Sequence, residues 1–252
     1  MFHAGLLRDP SSPNPSVASA PVLDWSRHFK QRAASSRDAR LRRYYEAGMV
    51  AADTPLAEVP LLAMDVETTG LIPATDGIVS IAVLPLRLDT IQASLGQQWL
   101  LKPRVPMGDE AVTIHGITHQ QIAQAPDLLD ILDDLLSRMA GHVLVVHCRD
   151  IERLFLNSAL QRRLGETIDF PVIDTMALEA RLHRRPPPWW QRWRRPVTAP
   201  VSIRLGASRE RYGLPRYRLH HAWTDALACA ELLQAQVAHR YSPTTPVSAL
   251  WT

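Results

Sequence analysis

The stretch Leu61-Leu-Ala-Met-Asp-Val-Glu-Thr-Thr-Gly70 constrains this chain more than any other. An apolar run that meets an Asp-Val-Glu and then a glycine turn reads as a buried strand running out at its C-terminal end. Side chains alternate across a strand, so Asp65 and Glu67 share one face of the sheet. Two carboxylates on one face of an otherwise apolar strand repel each other unless a cation or raised pKa values relieve them. Taken alone, the pair is equally compatible with a solvated sheet edge. The apolar Leu61–Met64 side chains argue for burial instead.

The elements around this strand define the fold class. Ile78–Leu88 and Gln97–Leu101 read as two further strands, giving a meander with the first. Beyond them helices and strands alternate: helix over Pro126–Met139, strand His142–His147, helix Asp150–Arg163, strand Phe170–Ile173 and helix Thr175–Leu182. Ile203–Tyr212 and His221–Ala238 are helical in pattern. Three strands followed by this alternation predict an α/β fold, a mixed five-stranded sheet with helices on its faces. Residues 24–48 carry Trp25, Phe29, Leu41, Tyr44 and Tyr45 among many arginines, an amphipathic helical pattern preceding the sheet. Residues 1–22 are rich in Pro, Ser and Ala and read as a loosely held arm. The expected organisation is an arm and helical extension over 1–58, a domain over 59–240 and a tail over 241–252.

Composition narrows the class. With 252 residues and 46% hydrophobic content the chain can bury a sizeable core. Cys148 and Cys229 are the only cysteines, which excludes a disulfide scaffold and a CxxC zinc site. No apolar run approaches the ~20 residues that span a bilayer, and the first residues lack the pattern of a secretory leader. A cytoplasmic location without membrane attachment is the expectation. Net charge is +3, yet the segment 181–195 alone holds six arginines and no acid.

Two more acidic sets stand near helix starts. In His147-Cys-Arg-Asp150-Ile-Glu152 the two acids are two residues apart on a helix and cannot face one point. Glu152 lies one turn before Phe155 and Leu156, at the border of the buried face, whereas Asp150 suits the helix N-terminus as a favourable charge. In His220-His-Ala-Trp-Thr-Asp225-Ala226, small residues at 222, 226, 228 and 230 imply close packing against the sheet. An aspartate on that face needs compensation.

The order Asp-x-Glu, then His-x4-Glu-x2-Phe-Leu, then His-x-Ala-x2-Asp-Ala resembles the DEDDh (DnaQ-like) family of 3′–5′ exonucleases, and Ile114-His-Gly-Ile-Thr118 resembles the segment that family carries between its first two motifs. The resemblance covers roughly residues 60–238. In that family the second motif usually reads His-Asn with an aspartate five residues after the histidine; here Cys148 and Glu152 occupy those places. The resemblance implies a ribonuclease H-like fold and two divalent cations, Mg²⁺ or Mn²⁺, held by Asp65, Glu67, Glu152 and Asp225. It implies that Asp65 bridges the ions and that His220, rather than His221, takes a proton from the attacking water. Thr68, Thr69, Gly70 and His147 are the matching substrate contacts. The implied reaction releases nucleoside monophosphates from the 3′ end of single-stranded DNA or RNA, and nothing in the residues distinguishes the two. A catalytically inactive nucleic-acid-binding module of the same fold is the alternative. A homodimer and a polymerase partner both stay open.

Outside the resemblance, about 183–202, lies a Pro/Trp/Arg-rich insertion. Its Arg184, Arg185 and Arg192 can neutralise phosphates, and Trp189, Trp190 and Trp193 can stack on unpaired bases. Packing against a core edge and docking of a protein partner are the competing uses of the same residues.

Overall fold

The computed structural model describes residues 23–184, 200–218 and 220–252. Of the insertion, Arg185, Trp189, Trp190, Arg192 and Trp193 lie outside the described residues, and so does the arm 1–22.

Five strands form one mixed sheet: β1 (Leu61–Thr68), β2 (Ile78–Leu86), β3 (Gln97–Leu100), β4 (Val143–Val146) and β5 (Val172–Asp174). Their order is β3-β2-β1-β4-β5, with the first three antiparallel and β4 and β5 parallel to β1. The central β1, between antiparallel β2 and parallel β4, is buried over Leu61–Met64, as an interior strand covered by helices must be. Its pairing with β2 slips between Glu67 and Thr68, an irregularity that ends regular pairing where the polar residues begin.

Helix α1 (Trp25–Ser35) and helix α2 (Ala39–Glu46) replace the single amphipathic stretch expected over 24–48. The break comes from Asp38, whose carboxylate accepts the backbone N–H groups of Arg40 and Leu41 and so starts a new helix. Two short helices, α3 (Asp109–His115) and α4 (His119–Gln124), were not expected. They stand apart because Gly116 adopts φ 73° between them, and Thr118 and Gln121 form a capping box that starts α4. The remaining helices are α5 (Leu128–Met139), α6 (Arg149–Leu164), α7 (Thr175–His183), α8 (Leu205–Arg211) and α9 (Ala222–Arg240).

Helix α9 lies across β1, β2 and β4. Its Ala222, Ala226 and Ala230 are buried, and these small side chains let the helix axis approach the sheet closely. Trp25, Phe29, Tyr44 and Tyr45 stack edge to face between α1 and α2 and join the main core. His28 and Arg32 pair with Asp169 in the loop before β5, and Arg43 pairs with Asp133 on α5. The extension therefore shares one core with the sheet. Residues 241–252 also pack inward. Trp251 is 3% exposed and bridges to Ile173, while Thr252 and Val172 exchange two backbone hydrogen bonds.

Among the described residues no helix is long and apolar enough to cross a membrane.

Candidate active site

Strand β1 carries Asp65 and Glu67 to the sheet's open end, and the first turn of α9 lays Asp225 against them. One oxygen from each of these three carboxylates lies within 4.8 Å of the others, the one such group of potential metal ligands among the described residues. Glu67 and Asp225 are each 8% exposed. Glu67 Oε1 and Asp225 Oδ1 are buried with no hydrogen-bond partner, which is costly for oxygens meant to stay uncompensated.

The electrostatics report the same crowding. Burial, and then the charge of Asp225, push the Glu67 carboxyl up to about 8. Burial pushes Asp65 well above the usual carboxylate range, and Glu67, Asp225 and Glu152 add to the shift. Asp225 is also raised by burial, although the backbone N–H of His220, donating to Oδ2 at 2.8 Å, partly opposes this. Among the described residues no lysine or arginine pairs with any of the three, and Glu67 Oε1 and Asp225 Oδ1 stay unpartnered.

Glu152 comes from the first turns of α6 and is 2% exposed, with Oε2 buried and unpartnered. It stands outside the convergent trio but close enough for its charge to raise Asp65. Its own carboxyl is raised well above normal by burial. Asp150, two residues earlier, has a side chain 75% exposed and lies near Arg149. The helix border therefore separates the two acids as their spacing requires.

His220 is exposed and sits just before α9 with φ 67°, a left-handed conformation unusual for a residue with a side chain. The turn lets its N–H reach Asp225 while its ring stays at the surface. His221 is exposed and occupies the position preceding α9, where its side chain makes no capping bond. His115, from the unexpected α3, is 7% exposed beside Thr68 and His220. Burial holds its ring below the ordinary histidine pKa, and nearby His220 adds to this.

The expected substrate contacts are placed less simply. The Thr68 hydroxyl donates to the Gly70 carbonyl at 2.6 Å, and the Thr69 hydroxyl accepts the Gly77 N–H at 3.0 Å. Both hydroxyls close the loop that follows β1. A Cβ at Gly70 would lie 2.4 Å from Asp76 Oδ2, so a larger residue there would displace the Asp76 carboxylate from the Ile72 N–H that it accepts. His147 Nδ1 shares a 2.8 Å hydrogen bond with Thr175 Oγ1, and burial lowers its pKa to about 4. The ring is thus a neutral anchor between β4 and α7. Arg184 is exposed at the end of α7.

The four carboxylates fit hard divalent cations, which take oxygen ligands and would satisfy the orphaned oxygens. A neutral ligand would leave the mutual repulsion in place.

A family model described as exonuclease (RNase T) matches residues 62–233. The chain is 31% identical over 139 residues to the PolC-type DNA polymerase III of Oceanobacillus iheyensis, a match covering 53% of this chain and 10% of that protein. It is 32% identical over 130 residues to a DNA polymerase III subunit epsilon-like protein of Rhodobacter capsulatus, covering 51% of this chain and 18% of that one. The matches thus span less than a fifth of these curated relatives. Among solved structures, the nuclease domain of 3′hExo, a DEDDh family member bound to rAMP, superposes with a TM-score of 0.59 at 17% identity, covering 72% of this chain and 92% of that domain. That likeness establishes the ribonuclease H-like fold. Because the matched stretch runs through β1, α6 and α9 and includes every acid of the site, the chain belongs to the RNase T family of exonucleases.

Proposed function

We propose that the protein is a metal-dependent 3′–5′ exonuclease that removes nucleoside monophosphates from single-stranded DNA or RNA. The observation that carries this reading is the convergence of Asp65, Glu67 and Asp225 within 4.8 Å with buried, unpartnered oxygens. Asp65, Glu67, Asp225 and Glu152 would hold two Mg²⁺ or Mn²⁺ ions. Bound there, such ions supply stabilisation of negative charge on the attacking and leaving oxygens of a phosphodiester.

The chain's own groups account for the rest. His220, which is exposed and whose backbone N–H bonds Asp225, would take the proton of an attacking water. The loop closed by Thr68, Thr69 and Asp76 offers its backbone, rather than free hydroxyls, to the terminal nucleotide. The mononucleotide in the 3′hExo domain belongs to the product class this reaction would release. A polymerase partner fits the polymerase III names of the curated relatives and is part of this proposal.

The test is incubation of 5′-labelled single strands of DNA and of RNA with the protein and Mg²⁺ or Mn²⁺. Ladders shortening from the 3′ end and abolished by EDTA are expected. Binding without shortening would instead identify an inactive nucleic-acid-binding module.

A further inference from the structure

Glu152 must be held in place by something other than its own helix end. Cys148, at the N-cap of α6, makes no side-chain cap and adopts φ 90°. A helix start without a cap leaves its first N–H groups unsatisfied and frays readily. Here the missing acceptor comes from the neighbouring strand. Asp174, the last residue of β5, stands beside Val146 in the parallel register and is 6% exposed. Its Oδ1 accepts the Cys148 N–H at 3.1 Å, and its Oδ2 accepts the Arg149 N–H at 3.2 Å. The same Oδ1 caps α7 through the Met176 and Ala177 N–H groups at 3.0 and 3.2 Å. The guanidinium of Arg149 lies 3.5 Å from Oδ2. The adjacent Thr175 hydroxyl donates to the Val146 carbonyl at 3.0 Å and meets His147 Nδ1, so both residues grip the end of β4.

We propose that Asp174 is a positioning residue for the metal site: one carboxylate ties the starts of α6 and α7 together and thereby sets where Glu152, one turn into α6, presents its oxygens. This rests on the reading of Glu152 as a metal ligand. Groups that orient a ligand without touching the ion typically change metal affinity about tenfold to a hundredfold when removed.

The discriminating variant is Asp174→Ser. A serine at this position still caps α7 over the short distance but cannot reach the amides of α6. Asp127→Ser is the matched control. Asp127 likewise caps a helix, α5, and binds Arg104 and, in the last turn of α6 rather than its first, Arg163. Mn²⁺ binding to the full chain is measured by calorimetry, alongside Tm without metal. Asp174→Ser is expected to weaken Mn²⁺ binding about tenfold or more, while Asp127→Ser lowers Tm and leaves Mn²⁺ affinity unchanged. Unchanged affinity in Asp174→Ser, or an equal loss in Asp127→Ser, would overturn the proposal. A wild type that binds no Mn²⁺ would overturn the functional reading, and this inference with it. Should Asp174→Ser fail to fold, amide exchange in the wild type decides. The Cys148 and Arg149 N–H groups should exchange more slowly than the Arg27 N–H, which has an ordinary exposed cap from Asp24. Equal exchange would sink the idea.

Discussion

Buried carboxylates at two places along α9, around Asp225 in its first turn and at Glu179 beside Gln236 further along, have opposite fates. At one, Asp65, Glu67 and Asp225 converge with Glu152 nearby, no cation among the described residues pairs with them, and all four are raised. At the other, Glu179 on α7 is fully buried, yet it is lowered. Burial alone would raise Glu179 too. Arg211, Gln236 Nε2 at 2.9 Å and the Tyr212 hydroxyl at 3.0 Å more than offset this. The contrast separates a carboxylate that the fold completes from a set that it leaves incomplete. A complete one stabilises the folded state through its partners; an incomplete set costs stability until something of positive charge arrives.

The largest expected effect is on activity. Asp65→Asn or Asp225→Asn should abolish hydrolysis in the 3′-ladder assay while leaving Tm without metal unchanged or higher, because one repelling charge is gone. Full activity in either variant would break the assignment of the trio. Next in size, Glu152→Gln should lower the rate by orders of magnitude, whereas Asp150→Asn should change it little, since that side chain faces solvent. Glu152→Asp should retain activity.

At the completed site the effect moves from rate to stability. Glu179→Gln leaves Arg211 without its anion and should cost about 2–3 kcal/mol in denaturant unfolding, below the range for fully buried pairs because Arg211 keeps 28% of its surface. The folded variant should keep its turnover. A dead but stable Glu179→Gln would erase the distinction between the two sites.

The sign of the pH dependence gives a further test. The folded protein holds the Glu67 proton more tightly than the unfolded chain does, with a pKa of about 8 against an ordinary 4.5. Stability without metal should therefore fall as pH rises from about 4.5 to about 8. Added Mn²⁺ should flatten that decline, and its stabilisation, read as a shift in Tm, should be larger at pH 8 than at pH 6. A metal-free Tm that rises over this range would contradict the raised carboxyls. The smallest effect belongs to Tyr212→Phe, which removes one donor to Glu179 and should cost about 0.5–1.5 kcal/mol with no change in turnover.

Much of the fold was legible because its signals are local. The apolar run of β1, the leucines of α5 and the alanines of α9 each state their element within a few residues. What escaped was set by short-range chemistry without periodicity. The break between α1 and α2 depends on one cap at Asp38, and α3 and α4 are too short to show a stripe. The close contact of Asp76 with Gly70 likewise depends on a loop closure that no periodicity announces. Glu179 and Asp174 gave no sign of their importance, although an Asp-Thr pair before a helix is an ordinary capping signal.

By itself the sequence marked Asp65, Glu67, Glu152 and Asp225 as carboxylates on or beside buried faces, because alternation in a strand and the border of a helix stripe decide that within one element. It also determined the family, through the order of three short motifs. Only the tertiary structure decided what each carboxylate meets. Asp65 finds Asp225 from the far end of the chain, and Glu179 finds Arg211 and Gln236, 32 and 57 residues away. Whether a buried acid is paired with a cation or with another acid is a property of neighbours in space, and that contact alone sets whether its charge stabilises the fold or waits for a metal.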